Sequence, residues 1–462
     1  MELRLFMLEV AYLPTLPSLL AVPNQPYIHR DLSWLQFNDR VLAESRQAAN
    51  PILERAKFLA ISASNLDEFF MIRLASLGRQ IQSVGRSDPN SARRLMRIRT
   101  SVLETVAKFT GKQLESLDLL ASELDSAGIH LVRQWPLSSE DPAFVLGRKL
   151  FQEQVLPRLV PPEEFALGKV THLENLQLAA LLGDKGQFVL RVPRGLPSLF
   201  WQKDDVSGAV YAYFLDDLLL SFLGEAFALG GPVGLLRVTR DGDFTVDLEE
   251  EDTESIPDVV RSGLGSRERG RPVRLQFHGD ITQSQLSAIM NALRLVNGQV
   301  LPAPGSLCLQ GLWVLVNQLT SEVVQAPGLR HPPLSSEVPR PLRKPESVFE
   351  RLKKDDFLLH HPYDSFDSFV AWIQAACADP AVVRIEQTVY RMDAVSPLID
   401  ALKKAATSKK VRVIIELRAR FDELNNLRLA DELRAAGVEV AFGFGKLKLH
   451  AKVALVTRVE EG

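Results

Sequence analysis

The sequence predicts a multidomain chain of mixed α and β structure, with a helical N-terminal domain, an α+β middle and an α/β C-terminal part. Three observations carry that expectation. Apolar residues recur at helical spacing through Leu32, Leu35, Phe37, Val41 and Leu42, and again through Leu53, Phe58, Leu59 and Ile61. Glycine, proline and short β-like runs become frequent after about residue 136. From about residue 346, strand patterns alternate with amphipathic helical ones, as in a largely parallel sheet covered on both faces. The chain has 462 residues, enough for about three domains at roughly 100–200 residues each.

Residues 1–26 are apolar in patches but carry Glu2, Glu9 and several prolines. A signal peptide would have a basic start and an unbroken apolar run, so this stretch reads as a disordered leader or an overextended start site. Residues 27–135 read as a helical domain, with a second breaker-poor block from Leu95 to Leu131. The polar cluster Ser64-Asn65-Leu66-Asp67-Glu68 reads as a helix start, with Ser64 as N-cap and Asp67 three residues on. That leaves Asn65 free, and an asparagine amide can both donate to and accept from an adenine edge.

Residues 136–340 form the α+β part. Phe188–Val192, Val233–Val238 and Val273–Phe277 read as strands, Tyr213–Phe227 as a helix, and the acidic stretch Asp247–Glu254 as a solvated segment. Residues 324–345 hold six prolines and read as an extended linker. In 346–462, Asp364–Ala378 reads as a helix and Val382–Arg391 as a strand. Ser396 and Pro397 open a helix as N-cap and N1. Val411–Leu417 is a strand, and Asp422–Ala436 a helix closed by Gly437. Val438–Phe442 and Leu447–Val456 complete the strands.

A net charge of -3 rules out a polycation, so a polyanion site would have to be a local basic cluster. Cys308 and Cys377 stand far apart and make neither a disulfide framework nor a cysteine metal site. A cytoplasmic protein is expected. No stretch reaches the ~18 apolar residues of a membrane span, which leaves peripheral membrane association open.

Side chains alternate along a strand. If 447–456 is one strand, Lys446, Lys448, His450 and Lys452 share a face, and Leu447, Leu449, Ala451 and Val453 face the core. Such a face offers a phosphate both a nucleophile and charge neutralisation; a plain solvated basic face is the competing reading. In open parallel sheets, ligands bind beyond the carboxyl ends of the strands. Arg391 and Arg420 stand at two such ends, and a guanidinium fork suits phosphate oxygens. A surface salt bridge is the plain alternative for each, with Asp422 and Glu423 available to Arg420, and Asp422 can equally be an N-cap. His360 and His361, adjacent with no further ligand nearby, read as structural rather than metal-binding, as does Tyr363.

Taken together, the blocks DLSWLQFNDRVLAES (31–45), NPILERAKFLAISASNLDEFF (50–70), RVTRDGDFTVDLEEEDTE (237–254), LLHHPYDSF (358–366), QTVYRM (387–392), ELRARFDELNN (416–426) and LKLHAK (447–452) resemble the bacterial polyphosphate kinase family, class one. The resemblance runs from about Tyr27 to the C-terminus. It implies a helical N-terminal domain (27–135), a head domain (136–340) and, over 346–462, the first of two related phospholipase D-like domains. It implies reversible transfer of the ATP γ-phosphate to inorganic polyphosphate. By the same resemblance His450 is the phosphohistidine nucleophile with Lys452 beside it, and Asn65 lies at the adenine. Arg391 and Arg420 belong to the phosphate–Mg²⁺ region, where a guanidinium is expected to bind phosphate oxygens and not the ion itself. It implies ATP/ADP and polyphosphate as partners, no nucleic acid, and a homo-oligomer.

Over 160–176 the sequence lacks the proline- and histidine-rich segment expected of the family. Residues 451–462 follow His450, and no second H-x-K occurs. The sequence therefore reads as an incomplete catalytic domain whose other half a separate chain would supply. Two rival functions remain: a truncated nucleotide- or polyphosphate-binding fragment without turnover, and a phospholipase D-like phosphodiesterase. The second expects an aspartate five residues beyond the H-x-K lysine, where this chain has Thr457.

Overall fold

The computed structural model describes residues 28–460 apart from 86, 134–136, 165–171, 184–185, 187, 230–231, 243–256, 258–269, 280, 304, 325–326, 344–347, 393–395, 418, 420–421 and 444–447. The leader expected over 1–26 and the acidic stretch Asp247–Glu254 lie outside the described residues. The chain divides into two compact units, Met1–Asp243 with Arg267–His331, and Phe244–Ser266 with Pro332–Gly462.

The first unit begins with four helices, α1 (Arg30–Glu44), α2 (Ile52–Phe69), α3 (Ala75–Val84) and α4 (Pro89–Ser126). Of the helical spacing seen in the sequence, Leu32, Leu35, Leu42, Leu53 and Leu59 are buried in one core, whereas Phe37 is exposed and Val41, Phe58 and Ile61 are half-buried. Helix α4 starts sharply: Asp88 accepts from the backbone N–H groups of Asn90 and Ser91, and Pro89 takes the first turn. Ser64 is not a helix start. α2 runs through it from Ile52, and the Ser64 hydroxyl donates to the Ala60 carbonyl one turn back at 3.1 Å. An apolar stripe continuous from Leu53 to Phe69 outweighs the local capping signal.

The rest of this unit is α+β. Its elements in order are β1 (Ile129–Val132), α5 (Pro142–Leu150), β2 (Glu163–Glu164), β3 (Leu178–Leu182), β4 (Phe188–Arg191), β5 (Leu199–Lys203), β6 (Val210–Phe214), α6 (Leu215–Phe227), β7 (Pro232–Arg240), β8 (Pro272–His278), α7 (Gln283–Ala292), β9 (Val300–Pro302), α8 (Leu312–Gln318) and α9 (Ser321–Val324). The strands make one sheet of order β2-β4-β3-β7-β8-β9 and another of order β1-β6-β5. All five residues of β3 are buried, so it is a two-faced core strand. The helix expected from Tyr213 starts at Leu215, because Tyr213 and Phe214 pair with Phe200 and Leu199 in β6.

In the second unit, residues 332–339 of the linker expected over 324–345 carry only a bridge of Glu337 with Asp364, while Arg340–Arg343 form a turn of 3-10 helix. Then come α10 (Val348–Leu352), α11 (Asp367–Ala378), β10 (Val382–Val389), α12 (Pro397–Ala405), β11 (Lys410–Ile415), α13 (Glu423–Ala435), β12 (Glu439–Phe442) and β13 (Ala454–Arg458). The sheet order is β12-β11-β10-β13, with β13 alone antiparallel. Ile385, Val389, Val413, Ile415, Leu402 and Leu433 form its core. Gly437, at φ 85°, closes α13.

The strand expected over Leu447–Val456 is the main correction. β13 begins at Ala454, and residues 448–453 are not strand. Their N–H groups go to side chains instead: Leu449 donates to Glu416 Oε2 at 2.7 Å and Val453 to Thr388 Oγ1 at 2.9 Å. Ala451 and Val453 are exposed and Leu449 only half-buried, so they do not face the core.

Candidate functional site

β10 and β11 are parallel and end together at Val389 and Ile415. β13 returns antiparallel, with Ala454 opposite Gln387. The residues leading into β13 therefore run past the carboxyl end of β10, where open α/β sheets bind ligands. Thr388 fastens them there, its backbone N–H donating to Val453 O at 2.9 Å and its hydroxyl to Ala451 O at 2.8 Å.

This places His450 and Lys452 beside Tyr390, the residue after β10. The His450 ring meets the Tyr390 ring edge to face, centroids 4.7 Å apart at 83°. Lys452 Nζ lies 4.5 Å from the centroid of that ring and Arg391 Cζ 5.6 Å. Each cation is attracted by the negative face of the π system. Lys452 Nζ also donates to the His450 carbonyl at 2.7 Å. His450, Lys452 and Arg391 are exposed, so a solvent-borne anion can reach all three.

Buried polar groups lie behind them. Asn426, on α13 and fully buried, donates through Nδ2 to Tyr390 O and Glu416 O, both at 2.9 Å. It joins the ends of β10 and β11, and Glu416, itself 2% exposed, holds Leu449 next to the imidazole. Hydrogen bonds to a buried carboxylate are among the stronger ones.

The second unit thus brings together three of the residues singled out in the sequence: His450, Lys452 and Arg391. The reason differs from the one expected, because a shared aromatic ring and not a shared strand face gathers them. Arg391 also pairs with Asp422, Nε to Oδ2 at 2.6 Å. Asp422 occupies the N-cap of α13 but makes no side-chain capping bond. Arg420 and Lys446 lie outside the described residues. Asn65, in the first unit, is half-buried on α2 and donates to Asn38 Oδ1 at 3.0 Å. His360 and His361 sit in an exposed turn against Tyr363 and Phe366.

Sequence reasoning missed Tyr390, Glu416 and Asn426, although each falls within a family-like block. An apolar-ending strand followed by Tyr-Arg was the available sign for Tyr390. It also missed Asp67, which is buried between Arg237 and Arg274 and hydrogen-bonded to both. Burial alone would raise the Asp67 pKa; Arg237 and then Arg274 more than offset that and hold it below the usual carboxylate value. Arg274 stacks over Phe70 at 4.4 Å, and burial draws its pKa down to about 10.

The resemblance implies Mg²⁺. Among the described residues no three His, Cys, Asp or Glu side chains converge to hold a metal, and guanidinium groups repel a cation. The described residues at this site therefore do not form a protein cage for the ion. Among the described residues no helix is long and apolar enough to cross a membrane.

A helical part, an α+β part and an α/β unit with cations at its strand ends define a multidomain α and β protein with a basic site. The chain belongs to the polyphosphate kinase family. Family models match in sequence: the polyphosphate kinase N-terminal domain over residues 27–132, the middle domain over 146–315 and C-terminal domain 1 over 347–462. Polyphosphate kinase of Mycolicibacterium gilvum is 36% identical, over 95% of this chain and 61% of its own length. That of Pseudomonas aeruginosa is 35% identical, over 94% and 64%. The crystal structure of polyphosphate kinase from Porphyromonas gingivalis superposes with a TM-score of 0.73 at 26% identity, covering 95% of this chain and 62% of that one. The chain thus spans about three-fifths of the length of these relatives.

Proposed function

We propose that this chain is an ATP:polyphosphate phosphotransferase working through a phosphohistidine at His450. The observation that carries the reading is the gathering of His450, Lys452 and Arg391 around the Tyr390 ring at the carboxyl ends of parallel strands. Polyphosphate kinase relatives supply the substrates, ATP/ADP and inorganic polyphosphate. A cytoplasmic homo-oligomer belongs to the same proposal.

In the first half-reaction a neutral His450 nitrogen attacks the γ-phosphorus. A P–N bond forms, the bond from that phosphorus to the β,γ-bridging oxygen breaks, and ADP leaves with the electron pair. The other ring nitrogen gives up its proton. Lys452, Arg391 and Arg420 neutralise the charge on the transferring oxygens; Asn65 is assigned to the adenine by the resemblance alone. In the second half-reaction a terminal polyphosphate oxygen attacks the same phosphorus. The P–N bond breaks, the imidazole regains its proton, and the chain is longer by one phosphate. Reversal makes ATP.

The test is incubation with γ-labelled ATP and Mg²⁺. Acid-labile label on the wild type, absent from His450→Ala, is expected. Equal labelling of both proteins would sink the assignment, as would phosphodiester hydrolysis with no label on protein.

A further inference from the structure

A second concentration of positive charge lies in the first unit. A cavity of ≈ 370 Å³ is lined by Gln82 of α3, Arg240 at the end of β7, Arg271 and Pro272 at the start of β8, and Ala292 to Arg294 at the end of α7. That lies at the low end of the ~300–1,000 Å³ range of ligand pockets. Three of its side chains are guanidinium groups. Arg240 is buried and fixed, its Nε donating to Leu173 O at 2.7 Å and Nη1 to Gly270 O at 2.8 Å. Arg271 and Arg294 are exposed. Among the described residues no carboxylate pairs with either: the nearby Asp241 is bonded to Arg79. Arg99, half-buried on α4, is close enough to Arg271 that, after burial, the charge of Arg271 is what lowers its pKa.

Like charges gathered round a concave wall repel one another, so the arrangement costs free energy until an anion enters. Arg294 is placed at the cavity wall by the end of α7: its φ of 54° is the left-handed residue of a helix C-terminus, with Arg294 N–H donating to Asn291 O at 3.1 Å and Leu295 N–H to Met290 O at 3.0 Å. The lining has no aromatic ring for a base to stack on, which disfavours a nucleotide. Guanidinium forks match phosphate oxygens through paired hydrogen bonds.

We propose that the cavity between Gln82, Arg240, Arg271 and Arg294, within the first unit, binds an inorganic oligophosphate. It rests on the proposed function only for the expectation that such anions are present.

Tripolyphosphate is the probe, with binding measured by calorimetry on the whole chain. In an Arg391→Gln background, which weakens the His450 site, one binding site should remain. Adding Arg271→Gln and Arg294→Gln should weaken it by about tenfold or more, because the charge-assisted hydrogen bonds of both guanidiniums are lost. Both residues are exposed, and the thermal transition of the unliganded variant should match the parent. Arg271→Lys with Arg294→Lys should keep part of the affinity. Unchanged binding in the Gln pair would overturn the proposal, and so would no binding in the Arg391→Gln parent. Loss of His450 labelling with tripolyphosphate binding intact would count against the proposed function alone.

Discussion

Glu416 Oε2 accepts the backbone N–H of Leu449 at 2.7 Å, so a buried carboxylate at the end of one strand fixes the residue next to His450. No element of regular structure holds residues 448–453, so this bond and the Thr388 bonds help to restrain the imidazole. Glu416→Ala should therefore act on position and not on substrate affinity. The rate of His450 labelling is expected to fall by on the order of 10²-fold, the cost of about 1 Å of misplacement, with the ATP concentration for half-maximal rate little changed. A rise in that concentration at unchanged maximal rate would contradict a positioning role.

Tyr390 presents its ring, and among the described residues no hydrogen bond uses its hydroxyl. Tyr390→Phe should leave labelling of His450 within about twofold, because exposed cation–π contacts of roughly 0.5–1 kcal/mol persist on a phenyl ring. Tyr390→Leu removes the ring and both cation contacts, and the expected loss is about tenfold for about 1–2 kcal/mol. Equal activity of the Leu and Phe variants would remove the ring from the site.

How much of this was legible in the sequence follows from the range of the interactions. The βα alternation from Val382 to Phe442 rests on local period, an N-terminal Pro397 and a closing Gly437, and it is present as read. The alternation Lys448-Leu449-His450-Ala451-Lys452-Val453 looks like a strand by the same rule, yet it is not one. The N–H groups of Leu449 and Val453 are claimed by Glu416 and Thr388, 33 and 65 residues away, and no local pattern announces that. Asp67 was unreadable for the same reason, since its partners are 170 and 207 residues distant. The grouping of Arg391 with His450 was reached from strand-end logic, while the ring that joins them was not.

Asp67 lies between two buried guanidiniums, and removing it would strand both. Asp67→Ala should destabilise the first unit by about 3–5 kcal/mol, the usual cost of breaking a buried pair. Hydrogen exchange in α2 under increasing urea measures it. The pH dependence has a fixed sign. The folded pKa is below the unfolded one, so the contribution is present above the unfolded value of ~3.9 and is lost as pH falls through the folded one. The difference in stability between wild type and Asp67→Ala should therefore shrink on acidification below about pH 4. A difference that does not change from neutral pH down to pH 2 would mean the charge is not what holds the cluster.

Asp217, in the first turn of α6, has the opposite balance. It is 5% exposed, its Oδ2 has no hydrogen-bond partner among the described residues, and Asp216 is its sequence neighbour. Burial first, and then the Asp216 charge, raise its pKa well above the usual carboxylate value, with Arg133 only partly opposing them. Folding therefore takes up a proton. The stability this group contributes is fully present below the unfolded pKa of ~3.9 and is lost as pH rises through the folded pKa. Asp217→Asn keeps the shape and removes the ionisation. It should raise the melting temperature at pH 7–8 by a few degrees, about 1 kcal/mol, and change it little near pH 4. Melting curves of the two proteins across that range decide it: parallel curves would mean that Asp217 does not titrate in the fold, whereas convergence toward acid pH is the outcome the buried, unpartnered carboxyl requires.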